Sequence, residues 1–218
     1  MTVPSVPSAA PAPVVIDHDT DPVQSDIPPM DPLALAAQWL PGDGEDRMLM
    51  TVSTVGLDGN PDARTTMLSD FDGRRFAFHT DANSQKAAEL ATNPAVALTI
   101  LWPGFTRQLV VQGTAERSPR TESDIAYHRR SPYLQQLAWQ NTPEFARLPL
   151  PDRRAKWEEF LTAHGGPDAP AFAAPSTWAG FSVTPHRLLF WVSNPAAASR
   201  RLAYTRSPDG WEMTVLPG

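Results

Sequence analysis

Alternating apolar and polar positions predict short β-strands over most of the chain. The runs "MLMTVSTV" and "RRFAFHT" place apolar side chains at alternate positions, which is the period of a strand with one buried face. Turn signals such as Asp72-Gly73 separate neighbouring runs. The other predicted strands are "ARTTMLSDF", "AVALTILW", "RQLVVQGTAERS", "WAGFSVTPHRLLFWVS", "RRLAYTRS" and "GWEMTVLP".

Helical periodicity is limited to segments between these strands. "DPLALAAQWL" predicts a short helix that Asp31 caps and that has Pro32 at its first position. "SQKAAELATNP" predicts a second helix, and "PRTESDIAYHRRSPYLQQLAW" and "LPDRRAKWEEFLTAHGG" predict a helical middle of the chain. The apolar face predicted for the first helix consists of Leu33, Ala36, Ala37 and Leu40.

Together these elements predict a mainly β fold, a β-barrel with peripheral helices. Residues 30–218 are expected to form this domain. Residues 1–29 are rich in Pro, Ser, Ala and Asp, and we interpret them as a mostly disordered arm. An arm that folds over a site when a ligand binds is the alternative.

Composition excludes several classes of partner. The 218 residues carry a formal net charge of −6 and no basic tract, which argues against nucleic acid or an anionic membrane. Because the chain has no cysteine, it has no disulfide, no thiolate nucleophile and no cysteine-ligated metal. We find neither an apolar run of the ~18 residues that a membrane helix needs nor the pattern of a secretory signal, so a cytoplasmic protein is expected.

Motifs exclude several kinds of chemistry. The five histidines are scattered without the spacing of a metal site, so no metal is expected. The chain has no GxSxG nucleophile elbow, no P-loop and no GxGxxG motif. Any reaction is therefore expected to belong to a bound cofactor, held by strands and by a helix N-terminus, and the sequence identifies no catalytic side chain.

Arg64 and Lys86 are the candidates for such a site. Lys86 lies in the first turn of the "SQKAAELATNP" helix, where free backbone N–H groups and the helix dipole favour an anion such as phosphate. A cation at that position is mildly unfavourable for the helix itself, so it is better explained if an anion binds. Arg64 begins the neighbouring strand, and a guanidinium can hold two phosphate oxygens. The alternative is that both are ordinary surface cations.

A series of motifs from "DPLALAAQWL" to nearly the C-terminus resembles the pyridoxamine 5′-phosphate oxidase family. The matching segments are "DPL…WL", "G.P..R…L", "FHTDANSQKAAELATNP", "RQLVVQGTAER", "PSTWAGFSV", "LFW" and "RRLAYTR". Members of this family are flavoenzymes that bind FMN at the interface of a homodimer. The resemblance therefore implies an FMN-binding split β-barrel, homodimeric, with a small-molecule substrate.

The resemblance also implies which residues contact FMN. Arg64, Lys86 and the Ser84-Gln85 turn are implied to bind its phosphate, while Trp191 and Arg201 are implied to come from the partner subunit. Gln108 and the backbone of the Arg64 strand are implied to meet the polar edges of the flavin. The full set is Arg64, Thr65, Thr66, Met67, Leu68, His79, Thr80, Ser84, Gln85, Lys86, Gln108, Trp191 and Arg201.

The positions that bind substrate in the family are mostly changed in this chain. Ser69 replaces the family lysine that helps to bind the substrate phosphate, and Ala197 and Ser199 replace an Arg-x-His pair. Tyr127 matches the family tyrosine, whereas Arg130 matches the family arginine only with a one-residue gap. The next family serine falls at Leu134 or Gln135, a flavin-contacting glutamine falls at Gln140 or Pro143, and "TVLPG" lacks the closing arginine.

These departures predict an FMN-dependent oxidase or oxidoreductase whose substrate is not a vitamin B6 phosphate. A role in secondary metabolism is expected, because the phenazine-biosynthesis oxidases are a branch of the family. One alternative is a pyridoxamine or pyridoxine 5′-phosphate oxidase with an altered substrate clamp. The others are a non-catalytic FMN-binding protein and a structural barrel without a ligand.

Overall fold

The computed structural model describes residues 20–42, 48–164 and 173–218, and over these ranges the chain forms one antiparallel sheet of nine strands with six α-helices around it. The mainly β fold predicted from the sequence is confirmed. The strands are β1 (Leu49–Val55), β2 (Pro61–Met67), β3 (Asp70–Phe71), β4 (Phe76–Asp81), β5 (Ala95–Leu101), β6 (Arg107–Arg117), β7 (Trp178–Val192), β8 (Arg200–Ser207) and β9 (Gly210–Pro217). The helices are α1 (Pro32–Trp39), α2 (Gln85–Thr92), α3 (Arg120–His128), α4 (Pro132–Gln140), α5 (Pro143–Ala146) and α6 (Leu150–Ala163).

β7 organises the sheet because its two halves have different neighbours. Its first half pairs with β4 and its second half with β8, while β6 runs along its other side. A bulge between Gln112 and Gly113 interrupts the β6–β7 register, and a Cβ on Gly113 would lie 2.4 Å from the carbonyl oxygen of Thr184. The strand order β2-β1-β5-β6-β7-β4-β3, with β9 beyond β8, is that of a sheet curled into a half-barrel.

The run "ARTTMLSDF", predicted as one strand, is divided between β2 and β3. The N–H of Leu68 donates to the carbonyl oxygen of Met48 (2.9 Å), whereas the N–H of Ser69 donates to that of Ala77 (2.8 Å). The chain therefore changes its partner from the β1 side to β4 between these two residues. The alternating pattern continues across the change, so the sequence gives no signal for it.

The cap predicted for α1 is confirmed, but its predicted buried face is wrong in part. The Asp31 carboxylate accepts from the N–H groups of Leu33 (2.9 Å) and Ala34 (3.2 Å). Ala37 is exposed, and the residues of the helix that are buried are Pro32, Leu35, Ala36 and Trp39. Trp39 packs edge-on against Trp102 and Phe190 of the barrel core, and this contact sets the rotation of the helix.

Packed structure begins before the predicted boundary at residue 29. Residues 1–19 of the predicted arm lie outside the described residues, but the segment 20–29 contacts the sheet. Buried Asp21 pairs with Arg107, whose Nε lies 2.8 Å from a carboxylate oxygen, and the Tyr204 hydroxyl donates to the carbonyl oxygen of Pro29 (2.6 Å). Burial raises the pKa of Tyr204 to about 12. Side chains of the sheet thus hold this Pro-rich segment in place, and the composition of the segment does not predict these contacts.

Within the described ranges, each helix is too short or too polar to cross a lipid bilayer.

Candidate functional site

β2 and α2 bring Arg64 and Gln85 into one hydrogen-bonded group. Arg64 donates from Nη1 to the Thr54 hydroxyl (2.5 Å) and from Nη2 to the carboxylates of Asp62 (2.6 Å) and Glu89 (2.8 Å). Gln85 donates from Nε2 to the same two carboxylates, at 2.8 Å in both cases. Arg64 is therefore held in place by its own chain and is not a loosely solvated cation.

Glu89 is the buried centre of this group and was not predicted from the sequence. Its side chain is fully buried, and one carboxylate oxygen accepts from the Thr54 hydroxyl at 2.5 Å. Burial acts to raise the pKa of Glu89, but the hydrogen bonds from Thr54, Gln85 and Arg64 outweigh it and hold the pKa below its ordinary value. Glu89 follows Gln85 by four residues on one face of α2, which is the available sequence signal.

Lys86 lies beside this group at the start of α2. Its ammonium donates to the Thr80 hydroxyl (3.0 Å), which in turn lies 3.2 Å from the Ser84 hydroxyl. Burial lowers the pKa of Lys86, and the nearby Arg64 lowers it further, against the opposing effects of Glu89 and Asp81. We call the residues Thr54, Asp62, Arg64, Thr80, Ser84, Gln85, Lys86 and Glu89 the cationic cluster.

Ser69 and His79 belong to a second group of side chains, in which charge is scarce. The Ser69 hydroxyl and His79 Nδ1 share a hydrogen bond of 2.9 Å. The His79 ring stacks on Trp178 with 5.2 Å between centroids, and the Arg130 guanidinium lies 4.7 Å from the centroid of the same indole. Tyr127 meets this indole edge-on. We call Ser69, His79, Tyr127, Arg130 and Trp178 the aromatic cluster.

Gly180 allows the aromatic cluster to pack closely. It pairs with His79 across β4 and β7. A Cβ at this position would lie 2.9 Å from His79 Nε2 and 2.7 Å from the Ser123 hydroxyl oxygen. The indole N–H of Trp178 also donates to the carbonyl oxygen of Ser123 (2.8 Å), so β4, β7 and α3 meet here without room for a larger residue.

Gln108, Trp191 and Arg201 form a row across three neighbouring strands, which we call the cross-strand row. Gln108 on β6 lies opposite Trp191 on β7, and Trp191 lies opposite Arg201 on β8. The Trp191 indole donates to the hydroxyl of Ser199 (2.9 Å). The Arg201 Nε is buried and has no hydrogen-bond partner among the described residues. The row therefore presents an amide, an indole and an unsatisfied guanidinium donor together.

The predicted substrate residues are only partly brought together. Ser69 and Arg130 meet in the aromatic cluster, but Tyr127 is fully buried, and its hydroxyl donates to the Gln135 carbonyl oxygen at 3.3 Å. Ala197 lies in an exposed turn that the Asn194 side chain closes, and Ser199 is engaged by Trp191. Because Tyr127 is buried, its ring contributes packing contacts in this arrangement.

The remaining predicted flavin positions differ in accessibility. Thr65 is exposed, Thr66 and Met67 are half-buried, and Leu68 is buried in the core. Of the two candidates for the family glutamine, Gln140 is committed to the Lys156 carbonyl oxygen (3.0 Å) and to Gln136 (2.7 Å), and Pro143 begins α5.

A cleft of about 590 Å³ opens beside the first turn of α2. Ser84 and Gln85 of the cationic cluster line one side of it. The other walls come from the end of α4, from α5 and from residues 175–177. The cationic cluster is thus reachable from a surface cleft.

The donors of the cationic cluster fit the phosphate of FMN, the cofactor that the resemblance implies. A guanidinium, an ammonium, a side-chain amide and hydroxyls surround the start of α2, where the first N–H groups have no acceptor within the helix. The Ser84 hydroxyl makes no capping bond to that turn. A phosphate beside Lys86 would also favour the charged ammonium that burial disfavours.

Known sequences that are similar to this chain indicate one family. A family profile described as pyridoxamine 5′-phosphate oxidase matches residues 44–158. A protein named pyridoxine/pyridoxamine 5′-phosphate oxidase from Caulobacter vibrioides is 36% identical over 193 residues, which cover 85% of this chain and 84% of the relative. The protein of the same name from Salinibacter ruber is 35% identical over 207 residues, covering 91% of this chain and 89% of the relative.

Solved structures agree on the fold. PhzG from Burkholderia lata, determined in complex with tetrahydrophenazine-1-carboxylic acid, aligns with a TM-score of 0.72 at 22% identity and covers 88% of this chain and 95% of its own. A pyridoxamine 5′-phosphate oxidase-related, FMN-binding protein from Nostoc punctiforme aligns with a TM-score of 0.61 at 16% identity, covering 78% and 87%. The profile and the sequence relatives span most of the domain, and the chain belongs to the pyridoxamine 5′-phosphate oxidase family.

Proposed function

We propose that this chain is an FMN-dependent oxidoreductase that takes a hydride from a small organic substrate other than a vitamin B6 phosphate. Family membership and the donor set of the cationic cluster support FMN as its cofactor. The observation that carries the substrate part is the hydrogen bond of 2.9 Å between Ser69 and His79. It places a serine that is hydrogen-bonded within the chain where the resemblance expects a lysine for the substrate phosphate.

Two groups of residues in the chain would bind the cofactor. Arg64, Gln85 and Lys86 would bind its phosphate, and the cross-strand row would contact the flavin ring. Bound FMN would supply the acceptor for the hydride, so no side chain has to act as a base in that transfer. The chain's own residues position the substrate and keep water away from it.

The aromatic cluster suits a substrate that is weakly charged. Tyr127 and Trp178 are buried, so its half-buried groups are the Ser69 hydroxyl, the His79 ring and the Arg130 guanidinium, which already rests on Trp178. Each charged hydrogen bond that a substrate phosphate loses costs about 1.5–3 kcal/mol. The neutral residues at Ser69, Ala197 and Ser199 together therefore disfavour a phosphorylated vitamer. A role in natural-product biosynthesis is part of this proposal.

Anaerobic reduction of the flavin tests the proposal. The FMN-loaded protein is mixed without oxygen with a set of reduced candidate substrates, including tetrahydrophenazine-1-carboxylic acid, and flavin absorbance is followed. We expect a non-phosphorylated compound to bleach the flavin and pyridoxine 5′-phosphate to leave it oxidised. Bleaching by no compound would favour a non-catalytic FMN-binding protein, and purification without any FMN affinity would exclude both.

The names of the relatives favour a second candidate, a pyridoxine/pyridoxamine 5′-phosphate oxidase with an altered clamp. Relatives at 35–36% identity over most of the chain carry that name. This candidate makes the opposite prediction in the same experiment, since pyridoxine 5′-phosphate would then bleach the flavin at micromolar concentration. One titration therefore separates the two.

We also propose that the functional unit is a homodimer with FMN between the subunits. Leu49 and Leu101 are 61% and 45% exposed at the ends of the neighbouring strands β1 and β5, and Leu101 pairs with Gln108 of the cross-strand row. Exposed apolar side chains that continue a row with an unsatisfied Arg201 donor are typical of a surface that a partner covers.

Subunit mixing tests this arrangement. Lys86→Met damages only the phosphate side of a site, and Arg201→Ala damages only the cross-strand row. If these two sides come from different subunits, a refolded mixture of the two variants regains about one tight FMN site in four, because each mixed dimer contains one undamaged pair. Recovery of no tight sites in mixed dimers, or sedimentation as a monomer with FMN bound, would contradict the shared site.

A further inference from the structure

Two carboxylates occupy the same two donors in the cationic cluster. Arg64 Nη2 carries two hydrogens and donates to Asp62 (2.6 Å) and Glu89 (2.8 Å). Gln85 Nε2 also carries two hydrogens and donates to the same pair of carboxylates, at 2.8 Å each. The N–H groups of both nitrogen atoms are thus fully used within the chain. A phosphate oxygen can bind either nitrogen only if one carboxylate gives way.

The two carboxylates differ in how easily they give way. The Glu89 side chain is fully buried and also accepts from the Thr54 hydroxyl at 2.5 Å. The Asp62 side chain is 37% exposed and lies on β2, at the end of the sheet order. Removing Glu89 from its donors would leave a buried charge unpaired, whereas Asp62 can turn into water. Asp62 is therefore the one that a phosphate displaces.

We propose that Asp62 competes with the phosphate of FMN for Arg64 and Gln85, and so sets the affinity of this chain for its cofactor. The inference rests on the proposed function, in which these two residues hold the phosphate. Asp62 imitates the phosphate, since its Oδ2 atom bridges the guanidinium and the amide. Lys86 does not take part in this competition, because its ammonium donates to the uncharged Thr80 hydroxyl.

The competition has a consequence for affinity that is opposite to the usual effect of a site mutation. Asp62→Asn removes the charge that holds Arg64, at nearly constant size. FMN then no longer has to displace Asp62 from its ion pair with Arg64, and the repulsion between the Asp62 carboxylate and the phosphate is removed. We expect the dissociation constant for FMN to fall roughly three- to tenfold.

Quenching of flavin fluorescence on titration with the flavin-stripped protein measures this affinity. The matched control is Asp58→Asn, which makes the same charge change in the same hairpin at an exposed residue that contacts Asn60 instead. Riboflavin, which has the ring but no phosphate, is titrated in parallel. We expect tighter FMN binding in Asp62→Asn alone, unchanged riboflavin binding in every variant, and thermal unfolding close to that of the wild type.

Several results would overturn the inference. These are unchanged or weaker FMN binding in Asp62→Asn and Asp62→Ala, equal tightening in Asp58→Asn, or equal tightening for riboflavin. In each case the wild type still binds FMN, so the proposed function survives. A wild-type protein that binds no FMN would remove the proposed function and this inference together, and so the two failures are distinguishable.

Discussion

The cationic cluster and the aromatic cluster lie at opposite ends of one short piece of chain, and they treat charge in opposite ways. Arg64 starts this piece and is locked to two carboxylates, one of them fully buried. Ser69 ends it and shares a hydrogen bond with His79. The chain changes its partner strand between the two ends. The two ends of this piece can thus differ in charge.

The difference follows from the cost of burying charge. A buried carboxylate such as Glu89 needs several donors at once, and this chain supplies three of them from β1, β2 and α2. A change at any of these positions would alter the hydrogen bonds of the others. In the aromatic cluster Tyr127 and Trp178 are tightly packed, whereas Ser69 is half-buried and holds no buried charge, so Ser69 can change with less effect on the rest. We infer that the cofactor end is constrained and the substrate end is adaptable.

Removing Glu89 should give the largest effect. Glu89→Ala removes the buried acceptor that Arg64, Gln85 and the Thr54 hydroxyl share, and we expect a loss of about 3 kcal/mol in the free energy of unfolding. Chemical denaturation of Glu89→Ala and of the exposed control Glu212→Ala measures it. A loss no larger than that of the control would mean that the cationic cluster is as adaptable as the aromatic cluster.

The same residue predicts a pH dependence. The pKa of Glu89 is held below its ordinary value near 4.5, so ionised Glu89 stabilises the folded state fully above that value. The stabilisation is lost as the pH falls through the lower pKa of the folded state. The stability difference between wild type and Glu89→Ala should therefore shrink below about pH 4.5 and stay constant above it. A constant difference across the acid range would show that Glu89 acts through packing alone.

Lys86 should have the next largest effect, on cofactor affinity rather than on stability. Lys86→Met keeps the apolar stem and removes an ammonium that burial already disfavours, so folding stability should change little. FMN affinity should fall roughly ten- to hundredfold, which corresponds to one charged hydrogen bond. Lys156→Met, at the only other lysine of the chain, is the control. Arg64→Ala is less clean because it also removes one of the donors to the buried Glu89.

The sequence predicted more of the cationic cluster than of the aromatic cluster. Arg64 and Lys86 were assigned to one phosphate site because the family resemblance added to a local signal, a helix start after a strand. Asp62 and Glu89 were missed, although each lies close in sequence to one of these cations. Their role depends on Thr54 and on the approach of β1 to α2, contacts between residues far apart in the chain.

Packing explains what else the sequence did not show. Tyr127 was matched to a substrate position, and it is fully buried between Trp178 of β7 and Gln135 of α4. The face of α1 was wrong because Trp39 has core partners that helical periodicity alone does not identify. The break between β2 and β3 leaves the alternation of side chains intact. Each of these facts is set by tertiary contacts that a single sequence does not encode locally.

Restoring a cation at Ser69 should give the smallest effect and bears most directly on the comparison between the two clusters. In Ser69→Lys an ammonium would stand next to His79, at the end of the chain segment that begins with Arg64. A charged hydrogen bond to a substrate phosphate, reduced by the entropy of a long side chain, should tighten the binding of pyridoxine 5′-phosphate roughly five- to tenfold.

Spectral titration of the FMN-loaded protein without oxygen measures that affinity. Ser69→Ala is the matched control, because it also breaks the bond to His79 but adds no charge. If the affinity for pyridoxine 5′-phosphate rises in Ser69→Lys but not in Ser69→Ala, the lack of one cation explains why the two clusters respond differently to phosphate. If neither variant binds the phosphorylated vitamer better, the aromatic packing around Trp178 excludes it by shape. The cationic and aromatic clusters would then differ in the space that they leave for a ligand as well as in charge.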